Sequence, residues 1–102
     1  MEVGEKLLIV VAYDISITTE NGTKRLSKVA KICLKYGQRV QNSVYECNID
    51  TLNYKKLRNE LIDTIDCSYD SVRFYNLGKN YENKIIHFGS KTINNVDSPL
   101  IL

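Results

Sequence analysis

Hydrophobic positions change their spacing along the first half of this chain of 102 residues. Residues 6–15, KLLIVVAYDI, are apolar at almost every position, which is typical of a strand that is buried on both faces. After a polar turn at 18–22, residues 24–36 repeat their apolar positions with helical spacing, which predicts an amphipathic helix. Thr23 is the expected N-cap of this helix, and Gly37 is its expected stop.

The second half repeats this alternation of strand and helix. Residues 38–48 have apolar positions on both sides of a polar centre, which predicts either a bent or bulged strand or a short hairpin. A second amphipathic helix is expected at 52–65, with Asp50 or Thr51 as its cap. Residues 71–77 alternate between apolar and polar positions and predict a further strand.

The order of these elements predicts the fold class. With the segment at 38–48 split into two strands, the pattern is the βαββαβ order of a ferredoxin-like α+β sandwich, an antiparallel sheet with both helices on one face, and a short strand is expected after it at 84–88. We assign residues 1–90 to this single domain and residues 91–102 to a C-terminal tail. The apolar end of that tail is suited to add a strand to a partner's sheet edge.

The other face of such a sheet has no cover, although the first strand is apolar on both faces. A second copy of the chain packed against this open face would bury it, and two-fold homodimers are the commonest oligomers. The sequence therefore predicts a homodimer through the open sheet face.

Composition and cysteine count exclude several classes of protein. With 43% hydrophobic residues the chain is too apolar for intrinsic disorder, and its longest apolar run, Leu7–Tyr13, is too short to span a membrane. No basic signal segment precedes that run, so we expect a cytoplasmic protein without a membrane partner. The single histidine, His87, excludes a site with two histidines from one chain, and the three cysteines match no metal motif and are expected to be reduced.

Positive charge is concentrated on the first predicted helix. The net charge is only +2, but residues 23–39 contain six basic residues and no acidic one. These residues are Lys24, Arg25, Lys28, Lys31, Lys35 and Arg39. The four lysines have the i, i+4, i+7, i+11 spacing of one helix face, and we call them the lysine stripe. The stripe is either a plain solvated surface or a surface that binds nucleic-acid phosphates.

Asp14 is the main candidate for chemistry, because it follows seven consecutive apolar residues and an unpaired charge there costs free energy. It is either a strand-end residue that accepts hydrogen bonds from the next turn or a functional carboxylate. One carboxylate per chain suffices for Mg²⁺ only with waters and phosphates, or with a second carboxylate from a partner across a two-fold axis. The supporting polar candidates, which could contact phosphates, bases or a water, are Tyr13, Ser16, Gln41 and Ser43.

Three segments together resemble a known family. LIVVAYDIS, GTKRLSKVAKICLKYGQRVQNSVYEC and DSVRFYNLG have the order and spacing of the small CRISPR-associated adaptation proteins of the Cas-two family, which serve beside the larger spacer integrase. The resemblance extends over residues 6–90 and is most specific in the middle segment.

This resemblance implies a ferredoxin-like homodimer in which Asp14 of each protomer faces its partner, and in which the two carboxylates can hold one Mg²⁺ or Mn²⁺. It also implies metal-dependent endonuclease activity on single-stranded RNA or double-stranded DNA, and a part in spacer acquisition. In that role the dimer lies along a protospacer duplex, and the six basic residues of 23–39 are the candidate phosphate contacts.

Two functions remain open at this point. One is a metal-dependent phosphodiesterase in which Asp14 is catalytic and a water is the nucleophile. The other is a non-catalytic, architectural dimer that binds duplex DNA and bridges integrase dimers. The resemblance is compatible with both.

Overall fold

A computed structural model describes residues 4–89, which form a four-stranded antiparallel sheet with two helices against one face. In chain order, the elements are β1 (Leu7–Asp14), α1 (Gly22–Tyr36), β2 (Gln38–Gln41), β3 (Val44–Ile49), α2 (Thr51–Thr64) and β4 (Ser71–Asn76). The strands lie in the order β2-β3-β1-β4 across the sheet. The predicted ferredoxin-like α+β fold is confirmed.

The central strand, β1, alternates its side chains between the two faces of the sheet. Ile9, Val11 and Tyr13 face the helices and are buried, whereas Val10 and Ala12 on the open face are half-buried. The core on the helix side comprises Ile9, Val11, Tyr13, Ile15, Val29, Cys33, Tyr45, Cys47, Ile49, Leu57 and Leu61. The two-sided burial expected for this strand is therefore complete on the helix face and partial on the open face.

Helix α1 begins two residues before its predicted start. Asn21, and not Thr23, is the N-cap, and its left-handed backbone (φ 61°) turns the chain into the helix. A side chain at Gly22 would overlap the carbonyl oxygen of Ser16 and would lie 2.7 Å from the Cα of Ile17. Glycine is required at this position because the backbones approach so closely.

The segment between the helices is a hairpin and also contains a bulge, the two alternatives that the sequence left open. Strands β2 and β3 form a hairpin with a turn at 42–43, and their register shifts between Arg39 and Gln41. Asp50 caps the next helix as predicted, because its side chain accepts a hydrogen bond of 2.8 Å from the amide of Asn53.

The short strand predicted at 84–88 is not formed. Residues 82–84 make a turn, and the side chains of Ile86 and Phe88 are 76% and 89% exposed. An apolar segment becomes a strand only where a neighbouring strand pairs with its backbone. No strand within the described part of the chain pairs with this segment.

Some remaining expectations can be compared with the described residues. Cys33 and Cys47 are buried and Cys67 is exposed, and all three are free thiols, as predicted. Neither α1 nor α2 is long and apolar enough to cross a membrane. The predicted tail at 91–102 lies outside the described residues, so the domain boundary stays a prediction.

Candidate functional site

Asp14 is the last residue of β1, and its exposed side chain lies on the open face of the sheet. Its partner across the sheet is Ser71 of β4, whereas pairing with β3 ends at Ala12 and Val44. Among residues 4–89, no donor hydrogen-bonds the Asp14 carboxylate. The carboxylate is thus accessible and uncommitted, which favours the functional interpretation over the strand-end one.

Another residue accepts the hydrogen bond that a strand-end aspartate would have accepted. The backbone amide of Ser16 donates to Oδ1 of Asp70 at 2.9 Å, although Asp70 is 54 residues away in the sequence. This bond uses the backbone amide of Ser16, so the predicted role of its hydroxyl as a contact to a water stays a prediction.

Tyr13 lies on the opposite face from its neighbour Asp14. Its side chain is 7% exposed, its ring stacks on Tyr45 with centroids 5.9 Å apart, and its hydroxyl donates to the Tyr45 hydroxyl at 3.5 Å. Burial raises the pKa of Tyr13 well above its ordinary value. Tyr13 therefore has a packing role behind the strand end, and its position offers no contact to a phosphate on the open face.

Arg39 lies on the helix side of the sheet as well. Its Nε donates to the Tyr45 hydroxyl at 3.1 Å, and its guanidinium carbon lies 5.6 Å from the centroid of the Tyr45 ring. Arg39 is half-buried on β2, so part of its charge is available at this edge of the sheet. It does not lie beside the Asp14 carboxylate.

Three polar side chains lie toward the Asp14 end of the open face, and they are Ser71 and Arg73 of β4 and Gln41 of β2. Gln41 is two strands away from Asp14, because β3 lies between β2 and β1. The carbonyl oxygen of Ser43 accepts a hydrogen bond of 3.1 Å from the Tyr13 amide, which holds that turn at this end of the sheet. Of the predicted supporting residues, Gln41 thus shares this end of the open face at a distance of two strands, and Ser43 lies opposite Tyr13, whose side chain faces the helices.

Arg73 supplies positive charge on this face. It is exposed and pairs with Ala12, so it is the diagonal neighbour of Asp14, at about 7–8 Å between Cα atoms. Its Nη1 donates to the Tyr75 hydroxyl at 3.2 Å, which leaves other guanidinium donors available. The separation is within the length of an extended arginine side chain, although the guanidinium lies toward Tyr75, which is farther from Asp14 along β4.

Arg25 is not part of a free basic surface. It forms an ion pair with Asp70, whose side chain is fully buried, with 2.7 Å between Nε and Oδ2 and 3.3 Å between Nη2 and Oδ1. Its other donors bind the carbonyl oxygen of Glu20 and the hydroxyl of Thr19, both at 2.7 Å. Because its donors are occupied internally, Arg25 is better explained as a structural residue than as the predicted phosphate contact.

Asp70 is the acceptor at the centre of this arrangement, which we call the Arg25–Asp70 clamp. Besides Arg25, the carboxylate accepts hydrogen bonds from the backbone amides of Ser16 and Asp66, both at 2.9 Å. Hydrogen bonds from Arg25 lower the pKa of Asp70 to about 2, so the carboxylate is charged at neutral pH. Sequence reasoning missed Asp70 because nothing local in the turn at 66–70 signals a partner 45 residues away.

The lysine stripe lies on the outer surface of α1. Lys24, Lys28 and Lys31 are exposed and form no ion pair with residues 4–89, whereas Lys35 pairs with Glu60 of α2. Since α1 packs on the helix face of the sheet, the stripe and the carboxylate site are on opposite sides of the chain. The structure does not bring these two predicted sites together.

A metal ion at Asp14 would need ligands from outside one chain. Within the described range, no three histidine, cysteine, aspartate or glutamate side chains form a group that could hold a metal. An exposed carboxylate fits Mg²⁺ or Mn²⁺ when waters, phosphate oxygens or a second carboxylate complete the shell. Asp14 therefore fits a metal shared with substrate and with a second copy, but not a site enclosed by one protomer.

Comparison with known proteins finds relatives over most of the chain. The sequence profile of CRISPR associated protein Cas2 matches residues 7–85. The chain is 47% identical to a CRISPR-associated endonuclease Cas2 of Halalkalibacterium halodurans, over 93% of this chain and 99% of the relative. It is 44% identical to a CRISPR-associated endoribonuclease Cas2 of Chlorobaculum tepidum, over 94% of this chain and 100% of the relative. The crystal structure of Streptococcus pyogenes Cas2 at pH 6.5 matches with a TM-score of 0.70 at 44% identity, over 80% of this chain and 99% of that chain.

Proposed function

Since this chain belongs to the CRISPR-associated Cas2 family, as its sequence resemblance predicted, we propose that it is a metal-dependent endonuclease whose catalytic residue is Asp14. The observation that carries the proposal is the exposed, uncommitted Asp14 carboxylate at the end of a buried strand, with Arg73 as its diagonal neighbour. Two relatives that cover nearly the whole chain are named an endonuclease and an endoribonuclease, which supports nuclease chemistry.

In the proposed reaction, a water attacks the phosphorus and one ester P–O bond breaks, which leaves a phosphate monoester and a free hydroxyl. Mg²⁺ or Mn²⁺ held by Asp14 would draw charge from the phosphate and lower the pKa of a bound water. Arg73 would neutralise part of the phosphate charge, and the Ser71 hydroxyl offers a hydrogen bond to one of its oxygens. The substrate, RNA or duplex DNA, is identified by incubating the protein with each labelled nucleic acid in Mg²⁺, in Mn²⁺ and in chelator.

We propose that the working form is a homodimer packed through the open face. Val10, Ala12 and Val44 lie side by side on this face and are only half-buried, and Tyr75 beside them is 45% exposed. A second copy would cover these apolar side chains and supply the second carboxylate that a shared metal needs.

Light scattering at micromolar concentration is expected to give about twice the 11.7 kDa mass of one chain. Val10→Asp places a charge in the proposed interface and should give a monomer, because a buried unpaired charge is costly. Leu34→Asp is the matched control, since Leu34 is an exposed apolar residue of α1 on the other side of the sheet, and it should leave the mass unchanged. A monomeric wild-type protein would remove the shared metal site from the proposal.

A second function, architectural binding of duplex DNA, is favoured by the position of the lysine stripe. Three exposed lysines on one helix face, away from Asp14, can contact phosphates without the carboxylate site. Such contacts position a duplex and do not read its sequence. In this role the dimer would hold protospacer DNA and bridge the spacer integrase. Cells with Asp14→Ala as the only copy should still acquire spacers if this role suffices, and should fail to if cleavage is needed.

Substitution of Lys28 and Lys31 by glutamine is expected to weaken duplex binding regardless of sequence. Each phosphate contact contributes roughly 0.9 to the slope of log K against log salt, so the slope should fall by about 2. Lys55→Gln/Lys56→Gln removes the same charge from exposed positions of α2 and should leave the slope near that of wild type. An equal change in both variants would show that only net charge matters, and no change in either would make the stripe a plain solvated surface.

A further inference from the structure

We propose that Arg25 and Asp70 are positioning residues, which hold the Asp14 end of β1 in the place that cleavage requires. The proposal rests on the nuclease function proposed above. Neither residue touches the open face, so both would act through the backbone.

The clamp joins the two chain segments that flank the Asp14–Ser71 pair. Ser16, two residues after Asp14, donates its amide to Asp70, and Asp70 directly precedes Ser71. Arg25 reaches the same loop from α1, where it binds the hydroxyl of Thr19, which in turn donates to the carbonyl oxygen of Ser16 at 2.7 Å. One buried carboxylate thus fixes both the exit from β1 and the entry to β4.

The end of β1 depends on such a device because Asp14 itself is paired on one side only. The register with β3 ends at Ala12, and one further hydrogen bond joins the Tyr13 amide to the Ser43 carbonyl oxygen, so Asp14 is held by sheet hydrogen bonds on the β4 side alone, in the terminal pair of that ladder. Terminal pairs fray most readily, since nothing beyond them resists opening. A metal ligand must keep its place to within about 0.5 Å, which a fraying strand end cannot do.

The geometry of the clamp suits positioning. Arginine and carboxylate meet in a two-pronged arrangement, which fixes orientation as well as distance. The four donors to Asp70 come from α1, from the loop after β1 and from the turn before β4, so movement of any one strains the others. Residues that orient a metal ligand from behind are worth about 10- to 100-fold in metal affinity or activity.

The test compares Asp70→Asn and Arg25→Lys with a control that is destabilised elsewhere. Leu61→Ala makes a cavity under α2 and removes no donor or acceptor of the clamp, so it separates lost stability from lost positioning. All proteins are assayed at a temperature where each is folded and dimeric. The readouts are kcat and KM for the cleaved nucleic acid, and the backbone order parameters of Asp14 and Ser71 by NMR.

For Asp70→Asn we expect a kcat about 10- to 100-fold below that of wild type and a KM within about twofold of it. The backbone order parameters of Asp14 and Ser71 should also be lower than in wild type. Arg25→Lys keeps both charges but loses the two-pronged geometry, so its values should lie between those of wild type and Asp70→Asn. The proposal is overturned if both clamp variants have the same kcat as Leu61→Ala and the same backbone order parameters at Asp14 and Ser71. If the wild type does not cleave, yet Asp70→Asn lowers the order at Asp14, the nuclease function fails and the positioning role stands.

Discussion

Replacement of Asp14 by alanine is expected to reduce phosphodiester cleavage by more than about 100-fold, since residues that merely support a metal ligand are already worth 10- to 100-fold. The loss follows from the site geometry, because no other carboxylate on the described part of the open face can take over at this strand end. Initial rates on labelled single-stranded RNA and short duplex DNA, in Mg²⁺ and in Mn²⁺, measure the effect.

The matched control is Asp63→Ala, which removes an exposed carboxylate from α2 on the other side of the sheet. Its cleavage rate should equal that of wild type. Both variants should remain folded dimers, because the Asp14 side chain makes no hydrogen bond within residues 4–89 that the substitution would remove. If Asp14→Ala cleaves as fast as Asp63→Ala, the activity has another source and the architectural role becomes the better account of the protein.

The largest effect on stability is expected for Asp70→Ala, which should lower the free energy of unfolding by about 3–5 kcal/mol. The substitution leaves the Arg25 charge, which is 13% exposed, without its partner, and leaves the amides of Ser16 and Asp66 without an acceptor. Urea denaturation of wild type and variant measures the difference.

The ion pair between Lys79 and Glu5 provides the control, because its Nζ–Oε2 distance is a similar 2.8 Å but both side chains are exposed to solvent. Lys79→Ala should cost less than about 1 kcal/mol, because solvent screens an exposed pair. If Asp70→Ala and Lys79→Ala cost the same, the buried pair contributes no more than a surface pair, and the clamp is not a stabilising element.

Acid should remove part of the clamp's contribution. Hydrogen bonds from Arg25 lower the pKa of Asp70 from 3.8 to about 2, so between these values the unfolded chain binds more protons than the folded one. The contribution is therefore complete above about pH 4 and is lost as the pH falls toward 2, with a change on the order of 2 kcal/mol. Asp70→Asn should lack this part of the pH dependence, which unfolding curves at a series of pH values will show.

The secondary structure and fold class could be predicted from local sequence patterns, because the interactions that form each element are themselves local. The apolar run of β1, the helical spacing of α1 and the Asp50 cap each depend on residues within a few positions of one another. The strand predicted at 84–88 was wrong, since its pattern was equally local but a strand also requires a neighbour with which to pair.

The candidate site was only partly predictable. Asp14 stood out because a charge after a continuous apolar run is unusual, and the structure leaves its carboxylate accessible. Tyr13 and Arg25 looked equally suited to bind phosphates, yet one is buried behind the strand and the other is paired internally. The type and spacing of residues in the sequence do not reveal which side chain each residue contacts in the folded chain.

The sequence by itself determined the family and the order of strands and helices, and it singled out Asp14 as the candidate carboxylate, because each of these features is encoded in contiguous segments. Only the tertiary structure decided which faces these residues occupy and which distant groups they meet. It placed the lysine stripe and Asp14 on opposite sides of the sheet and joined Arg25 to Asp70 across 45 residues. The physical reason is that strand register and helix packing set such contacts, and both depend on the whole chain at once.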